Sequence, residues 1–255
     1  MKQIPNIITL LNLFFGCLAV LFALQTDSII IKLDEDYNTS FNIPEKLVWA
    51  AICIGIAACI DFLDGFVARW LKASSSLGKQ LDSLSDVVSF GVAPSMIIYQ
   101  LLRISFARQE NGLEISILWL VPAFIIACSA AYRLAKFNID ESQQYNFKGV
   151  PTPAIGLLIA SFPLILFYNS MPQIANLFAN KWFLYGVIIS LSWLMLTNIP
   201  MIGLKFMSYK FKDNIPKVIL ASIAVISAIF LHWLAVPVIF ISYILISLFT
   251  KKSIA

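Results

Sequence analysis

Apolar runs of about twenty residues recur along the whole chain, and nothing else limits its fold as strongly. A helix rising about 1.5 Å per residue needs about 20 apolar residues to cross the hydrocarbon core of a bilayer. Such runs predict spans at 5–24, 47–70, 81–102, 115–136, 151–169, 182–203, 217–232 and 234–250. The stretch from Val218 to Phe249 is too long for one span, and His232-Trp233 in its middle suits an interfacial turn. Composition agrees: 60% of residues are hydrophobic and 13% charged, where soluble domains carry about 25% charged residues. The expected fold is all-α, a polytopic membrane helical bundle with about eight transmembrane helices. A soluble domain is excluded, and no nucleic-acid partner is expected.

The placement of cations predicts the orientation, because cytoplasmic loops are enriched in Lys and Arg. Of the 18 Lys and Arg residues, thirteen fall on the side that holds both termini and five on the other. Both termini are therefore expected in the cytoplasm, with the acidic 25–46 loop outside. No cleavable signal peptide is expected, since the first run carries Asn6, Thr9 and Asn12 and lacks a small-residue cleavage site. The four cysteines, Cys17, Cys53, Cys59 and Cys128, sit inside apolar runs without metal-type spacing and are expected as small core residues. His232 and the tryptophans Trp119, Trp182 and Trp193 are expected at interfaces or in packing, with no catalytic role.

Against this background, residues 61–90 hold four aspartates, Asp61, Asp64, Asp82 and Asp86. They fall in the last turns of the second span and the first turns of the third, near the cytoplasmic face. At about 100° per residue, Asp61, Asp64 and Ala68 share one helix face. Gly78, Asp82 and Asp86 share another if the third helix begins that early. Two helices joined by a short loop can then point four carboxylates at one spot. Ionised carboxylates in a membrane cost several kcal/mol each unless compensated. A divalent cation is the natural compensation, and oxygen-only ligands select Mg²⁺, Mn²⁺ or Ca²⁺ over zinc or copper. Carboxylates with a hard cation commonly handle phosphate. Arg69 and Lys79 add positive charge that suits a diphosphate, and Gly65, Ala68 and Gly78 let helices or a ligand approach closely. Solvated helix-end charges are the plainer reading for any single aspartate, but they do not account for four at these spacings.

The run Asp61-x-x-Asp64-Gly65-x-x-Ala68-Arg69, followed after eight residues by Gly78-x-x-x-Asp82-x-x-x-Asp86, resembles the full signature of the CDP-alcohol phosphatidyltransferase family. That resemblance implies transfer of a phosphatidyl group from CDP-diacylglycerol to an alcohol, with release of CMP. It implies two divalent ions, Mg²⁺ or Mn²⁺, on Asp61, Asp64 and Asp82 with help from Asp86. It implies Asp86 as general base, and it implies a homodimer. CDP-diacylglycerol is expected along Gly65, Ala68, Arg69, Ser75 and Gly78. Asn6, Thr9 and Asn12 share one face of the first span, where they either contact the nucleotide or hydrogen-bond between helices.

The fourth span ends Ala131-Tyr132-Arg133-Leu134-Ala135-Lys136-Phe137-Asn138, and Phe147-x-Gly149-x-Pro151-x-Pro153 follows. This pair, with the opening Pro5, Asn6, Thr9, Asn12 and Gly16, resembles the bacterial phosphatidylserine synthase branch. The acceptor implied is L-serine, in the membrane of a bacterium: the inner, cytoplasmic membrane. Lys136 stands where that branch has Arg, which keeps the charge but not the bidentate fork. Serine carries a carboxylate, so Arg133 and Lys136 are its candidate partners. Arg133 could equally anchor headgroups as a positive-inside residue. The Gly149–Pro153 stretch reads as a turn and a helix start. Specific motifs end near residue 160. Residues 1–205 are expected as the catalytic membrane domain and 206–255 as an additional transmembrane hairpin. Two rivals stay open. One is the same transfer to glycerol 3-phosphate or an inositol phosphate. The other is a cation transporter, which the absence of internal repeats and the crowding of acids at one face disfavour.

Overall fold

The computed structural model describes residues 4–25, 31–33, 39–41, 43–71, 75–108, 115–139, 147–168, 172–203 and 214–251. Helix α1 (Ile4–Leu24) packs along α2 (Glu45–Trp70). Next comes a continuous helical rod: α3 (Ser76–Val87), a π-helical turn (Val88–Val92) and α4 (Ala93–Ala107). Two short 3₁₀ turns at Ile117–Trp119 and Val121–Phe124 lead into α5 (Ile125–Ile139). Then follow α6 (Thr152–Tyr168), the short α7 (Pro172–Phe178), α8 (Lys181–Leu196), α9 (Ile215–Leu231) and α10 (Ala235–Lys251).

Five apolar helical stretches are long enough to cross a membrane, the last running from Ile215 to Thr250. That stretch folds on itself. His232 adopts φ 49°, and α9 and α10 pack against each other as a hairpin. With the shorter α6 and α8 this makes the expected eight-helix bundle. Many large apolar side chains face outward, among them Phe62, Trp70, Leu118 and Phe230, each more than 70% exposed. Such a surface suits lipid and not water.

The rod around residue 90 is the hub of the bundle. Pro94 lacks the N–H that a helix would aim at the Phe90 carbonyl, and its ring crowds that carbonyl. The π turn at 88–92 takes up the misfit. The Ser95 hydroxyl donates to the Gly91 carbonyl at 2.8 Å. Small residues then let three helices close on this turn. A Cβ at Gly16 of α1 would lie 2.9 Å from the Ser89 Cα, one at Gly91 would lie 3.1 Å from the Ala130 Cβ of α5, and one at Gly156 of α6 would meet Phe90 at 3.0 Å. Polar rungs fix the register of α1 on the rod. Ser85 donates to the Thr9 carbonyl (2.8 Å), Ser89 to the Asn12 carbonyl (3.1 Å), and Gln100 to the Ala23 carbonyl (2.8 Å).

Several boundaries differ from the sequence expectation. The third span begins at Ser76 and not at 81, because Ser75 caps the helix by accepting from the Gly78 N–H at 3.0 Å. The sixth ends at Leu196 and not at 203. Residue 199 precedes Pro200 and is pushed toward extended backbone, and Thr197 already leaves the helix. Residues Pro200–Met201 pair antiparallel with Phe147–Lys148, which the hydropathy pattern gave no hint of. Within the 25–46 loop, Ile31–Leu33 and Thr39–Phe41 form a short antiparallel hairpin, while residues 26–30, 34–38 and 42 lie outside the described residues. Cys17, Cys59 and Cys128 are exposed on the outer surface of the bundle and only Cys53 is buried, so the core reading fails for three of the four. A helix facing lipid is apolar on its outer side too, so hydropathy alone does not mark the inward face. Lys2, Lys72, Lys205, Lys210, Lys212 and Lys252, which contribute to the orientation argument, lie outside the described residues.

Candidate active site

At one end of the bundle the start of α1, the end of α2, the start of α3 and the end of α5 meet. Asp61 and Asp64 stand two turns from the end of α2. Asp82 and Asp86 stand on the face of α3 that begins at Gly78, and the early start at Ser76 makes that face continuous. Carboxylate oxygens of Asp61, Asp82 and Asp86 lie within 4.8 Å of one another. The rungs that seat α1 against α3 also deliver α1's polar face to this cluster. The Thr9 hydroxyl hydrogen-bonds Oδ2 of Asp64, and Asn12 Nδ2 donates to Oδ1 of Asp86 at 3.2 Å. Of the two roles open to Thr9 and Asn12, the interhelical hydrogen bond is the one seen.

Asp64 therefore differs from the other three. It is outside the tightest group, it is buried, and one oxygen is committed to Thr9, while its Oδ1 has no hydrogen-bond partner among the described residues. A buried carboxylate oxygen without a donor is costly, so the cluster is built for something that adds positive charge. The donor set fits a hard divalent cation: carboxylates only, three oxygens in mutual reach, and a fourth acid beside them.

The expected diphosphate-side residues divide. Gly78 lies under Asn6, whose Oδ1 would be 3.1 Å from a Cβ there, so the approach is close. Gly65 has the Arg69 guanidinium near it, at 3.5 Å from where a Cβ would be, so Arg69 folds back along α2 toward the acids. Ala68 is half-buried on the Asp61–Asp64 face. Ser75 serves as the helix cap. Lys79 is turned to α5, where its Nζ donates to the Asn138 carbonyl at 3.2 Å. Asn138 in turn donates to Ser83 at 2.8 Å.

On the α5 side, Arg133 is buried, within electrostatic reach of Asp86, and weakly joined to the Thr152 hydroxyl at 3.5 Å. Its Nε has no partner among the described residues. Lys136 is exposed and donates to Oδ1 of Asn198 at 3.2 Å. A small pocket opens between Tyr132, Arg133 and Lys136 of α5 and residues 195–198 at the end of α8. Sequence reasoning missed Thr152 and Asn198. An Asn two residues before a proline at the end of an apolar run was a stop signal that could have marked the latter.

The CDP-alcohol phosphatidyltransferase family model matches residues 2–197, which include the whole aspartate cluster and every residue of the Arg133 pocket except Asn198. The chain belongs to this family. Among similar proteins, the CDP-diacylglycerol–serine O-phosphatidyltransferase of Helicobacter pylori (strain J99) is 31% identical over 210 residues, covering 82% of this chain and 75% of the relative. The CDP-diacylglycerol–serine O-phosphatidyltransferase of Bacillus subtilis is 34% identical over 177 residues, covering 65% of this chain and 81% of the relative. An archaetidylserine synthase of Methanothermobacter thermautotrophicus is 34% identical over 170 residues, covering 66% and 60%. Membership in a family of phosphatidyltransferases removes the support for the cation-transporter reading.

Proposed function

We propose that this chain transfers the phosphatidyl group of CDP-diacylglycerol to the hydroxyl of L-serine, giving phosphatidylserine and CMP. The carrying observation is the convergence of Asp61, Asp82 and Asp86 beside the buried Arg133 in a member of this family. Serine is favoured over glycerol 3-phosphate or an inositol phosphate by the names of the relatives. It is also favoured by the site, where one buried guanidinium stands near the acids, enough for one carboxylate.

Asp61, Asp64, Asp82 and Asp86 would hold two divalent ions, Mg²⁺ or Mn²⁺. When bound, these offset the diphosphate charge and stabilise the leaving CMP. Asp86 is the candidate catalytic base. Asn12 orients its carboxylate, and Arg133 lies on its α5 side. The serine hydroxyl gives its proton to Asp86 as its oxygen bonds to the phosphorus that carries diacylglycerol. The bond from that phosphorus to the bridging oxygen breaks, and its electron pair leaves on CMP. Arg133, with Lys136 at the pocket rim, would hold the serine carboxylate. Gly65, Ala68, Arg69, Ser75 and Gly78 would flank the liponucleotide, with Asn6, Thr9 and Asn12 opposite.

The distribution of Lys and Arg supports a site facing the cytoplasm of a bacterial inner membrane, with both termini on that side. The working unit is proposed to be a homodimer, with residues 1–205 as the catalytic domain and 206–255 as an added hairpin. Membranes holding the protein, given labelled CDP-diacylglycerol and each candidate alcohol in turn, test the reading. Label in phosphatidylserine with serine supports it. Label appearing only with glycerol 3-phosphate or an inositol phosphate overturns the acceptor.

A further inference from the structure

The hairpin α9–α10 lies beyond the residues matched by the family model, yet α10 reaches the acceptor side of the site. After α8 the chain leaves helical backbone at Thr197 and runs extended to Ile202. Non-helical backbone inside a membrane protein has to be satisfied by other protein groups or line a cavity. Here it does both. Residues 195–198 wall the Arg133 pocket, and Asn198 holds Lys136. The Ile199 carbonyl accepts from the Gly149 N–H at 2.8 Å, and Pro200–Met201 pairs with Phe147–Lys148. Gly149 is needed at that contact: its φ is +74°, and a Cβ would lie 2.7 and 2.8 Å from the carbonyls of Met195 and Thr197.

The outer end of this wall is held by α10. Tyr243 and Ser247 stand one turn apart on one helix face and take both backbone groups of Ile202. The Tyr243 hydroxyl donates to the Ile202 carbonyl at 3.1 Å, and the Ile202 N–H donates to the Ser247 hydroxyl at 3.2 Å. Both side chains are buried, and Tyr243 is within electrostatic reach of Arg133. From these contacts we infer that Tyr243 and Ser247 are positioning residues for the acceptor alcohol. They fix the 197–202 wall, and through it the Lys136–Asn198 contact beside Arg133, so that the pocket is set for a small carboxylate-bearing alcohol. The inference rests on the proposed serine reading. Among the described residues, neither Tyr243 nor Ser247 hydrogen-bonds to α1, α2 or α3, where the liponucleotide is proposed to lie.

The test uses the full-length protein in bilayers, with initial rates measured against serine and against CDP-diacylglycerol separately. Tyr243→Phe keeps the ring packing and removes only the hydroxyl. Ser247→Ala removes the second bond, and Ser247→Thr keeps a hydroxyl. Loss of a neutral hydrogen bond at the wall is expected to raise the serine KM roughly 3- to 10-fold in Tyr243→Phe and Ser247→Ala. The CDP-diacylglycerol KM should stay within about twofold of the parent, and Ser247→Thr should restore the serine KM. A serine KM unchanged in both variants, with a parent that uses serine, overturns this inference alone. So does a rise in both KM values accompanied by lower thermal stability, which would mean a merely structural role. A parent that does not use serine overturns the function reading as well.

Discussion

Asp86 and Arg133 face the same small volume from two helices, and their proposed roles separate by kinetics. Asp86→Asn is expected to leave binding of CDP-diacylglycerol near the parental value while the rate falls about 10²-fold or more, the scale of lost general-base help. Binding to the purified protein and initial rates check both halves. Arg133→Gln is expected to raise the serine KM about tenfold or more, because a hydrogen bond to a charged group contributes about 1.5–3 kcal/mol. An unchanged serine KM would return Arg133 to the role of headgroup anchor. At this scale the sequence was informative wherever spacing sets geometry. Acids at i, i+3 and i, i+4 on the two helices flanking one loop can converge, and Asp61, Asp82 and Asp86 do. The sequence did not reveal the inequality among them. Thr9 reaches Asp64 and Asn12 reaches Asp86 only because α1 lies in one register on the rod, and that register is set by Ser85 and Ser89 some 75 residues away, at sequence separations of 76 and 77.

Among the elements, the π turn at 88–92 matters most to the site. It begins two residues after Asp86 and gathers α1, α5 and α6 onto the rod through Gly16, Gly91 and Gly156. Gly16→Leu should therefore push α1 off Ser89 and cost about 1–3 kcal/mol in stability, as overpacked cores do. Because α1 carries Thr9 and Asn12, activity should fall even below the melting temperature. A thermal-melt series in detergent beside rates at a low fixed temperature checks this, and wild-type activity with wild-type melting would contradict the packing argument. Hydropathy located the eight apolar helices among the described residues but not this turn, since a proline in an apolar run does not say how its misfit is absorbed. It also overran α8 by seven residues. Residues 197–203 are apolar enough to look like more helix, and only Pro200 and Asn198 argue otherwise.

For the whole molecule, the site end collects the start of α1, the end of α2, the start of α3, the end of α5 and the wall held by α10. The opposite end carries its own polar contacts. Arg108 meets Asn176 at 3.4 Å, the Tyr185 hydroxyl donates to the Trp119 carbonyl at 2.6 Å, and Lys181 lies over the Phe106 ring at 4.9 Å. The proposed orientation puts that second end outside. In a cysteine-free background, single cysteines replacing Gln25 and Ser116 should react with an impermeant label added to intact cells, and one replacing Lys252 should not. Reversed labelling would turn the molecule over and take the site out of reach of cytoplasmic CDP-diacylglycerol. The aspartate cluster, loaded with a divalent cation, is proposed to move the phosphatidyl group to serine. Its most direct test is serine-dependent release of CMP by the purified protein under strict chelation, and again after adding back Mn²⁺ or Mg²⁺. No release is expected under chelation, recovery is expected with the metal in amounts equal to the phosphatidylserine formed, and none in Asp61→Asn or Asp82→Asn. Release of CMP that persists under chelation would contradict it.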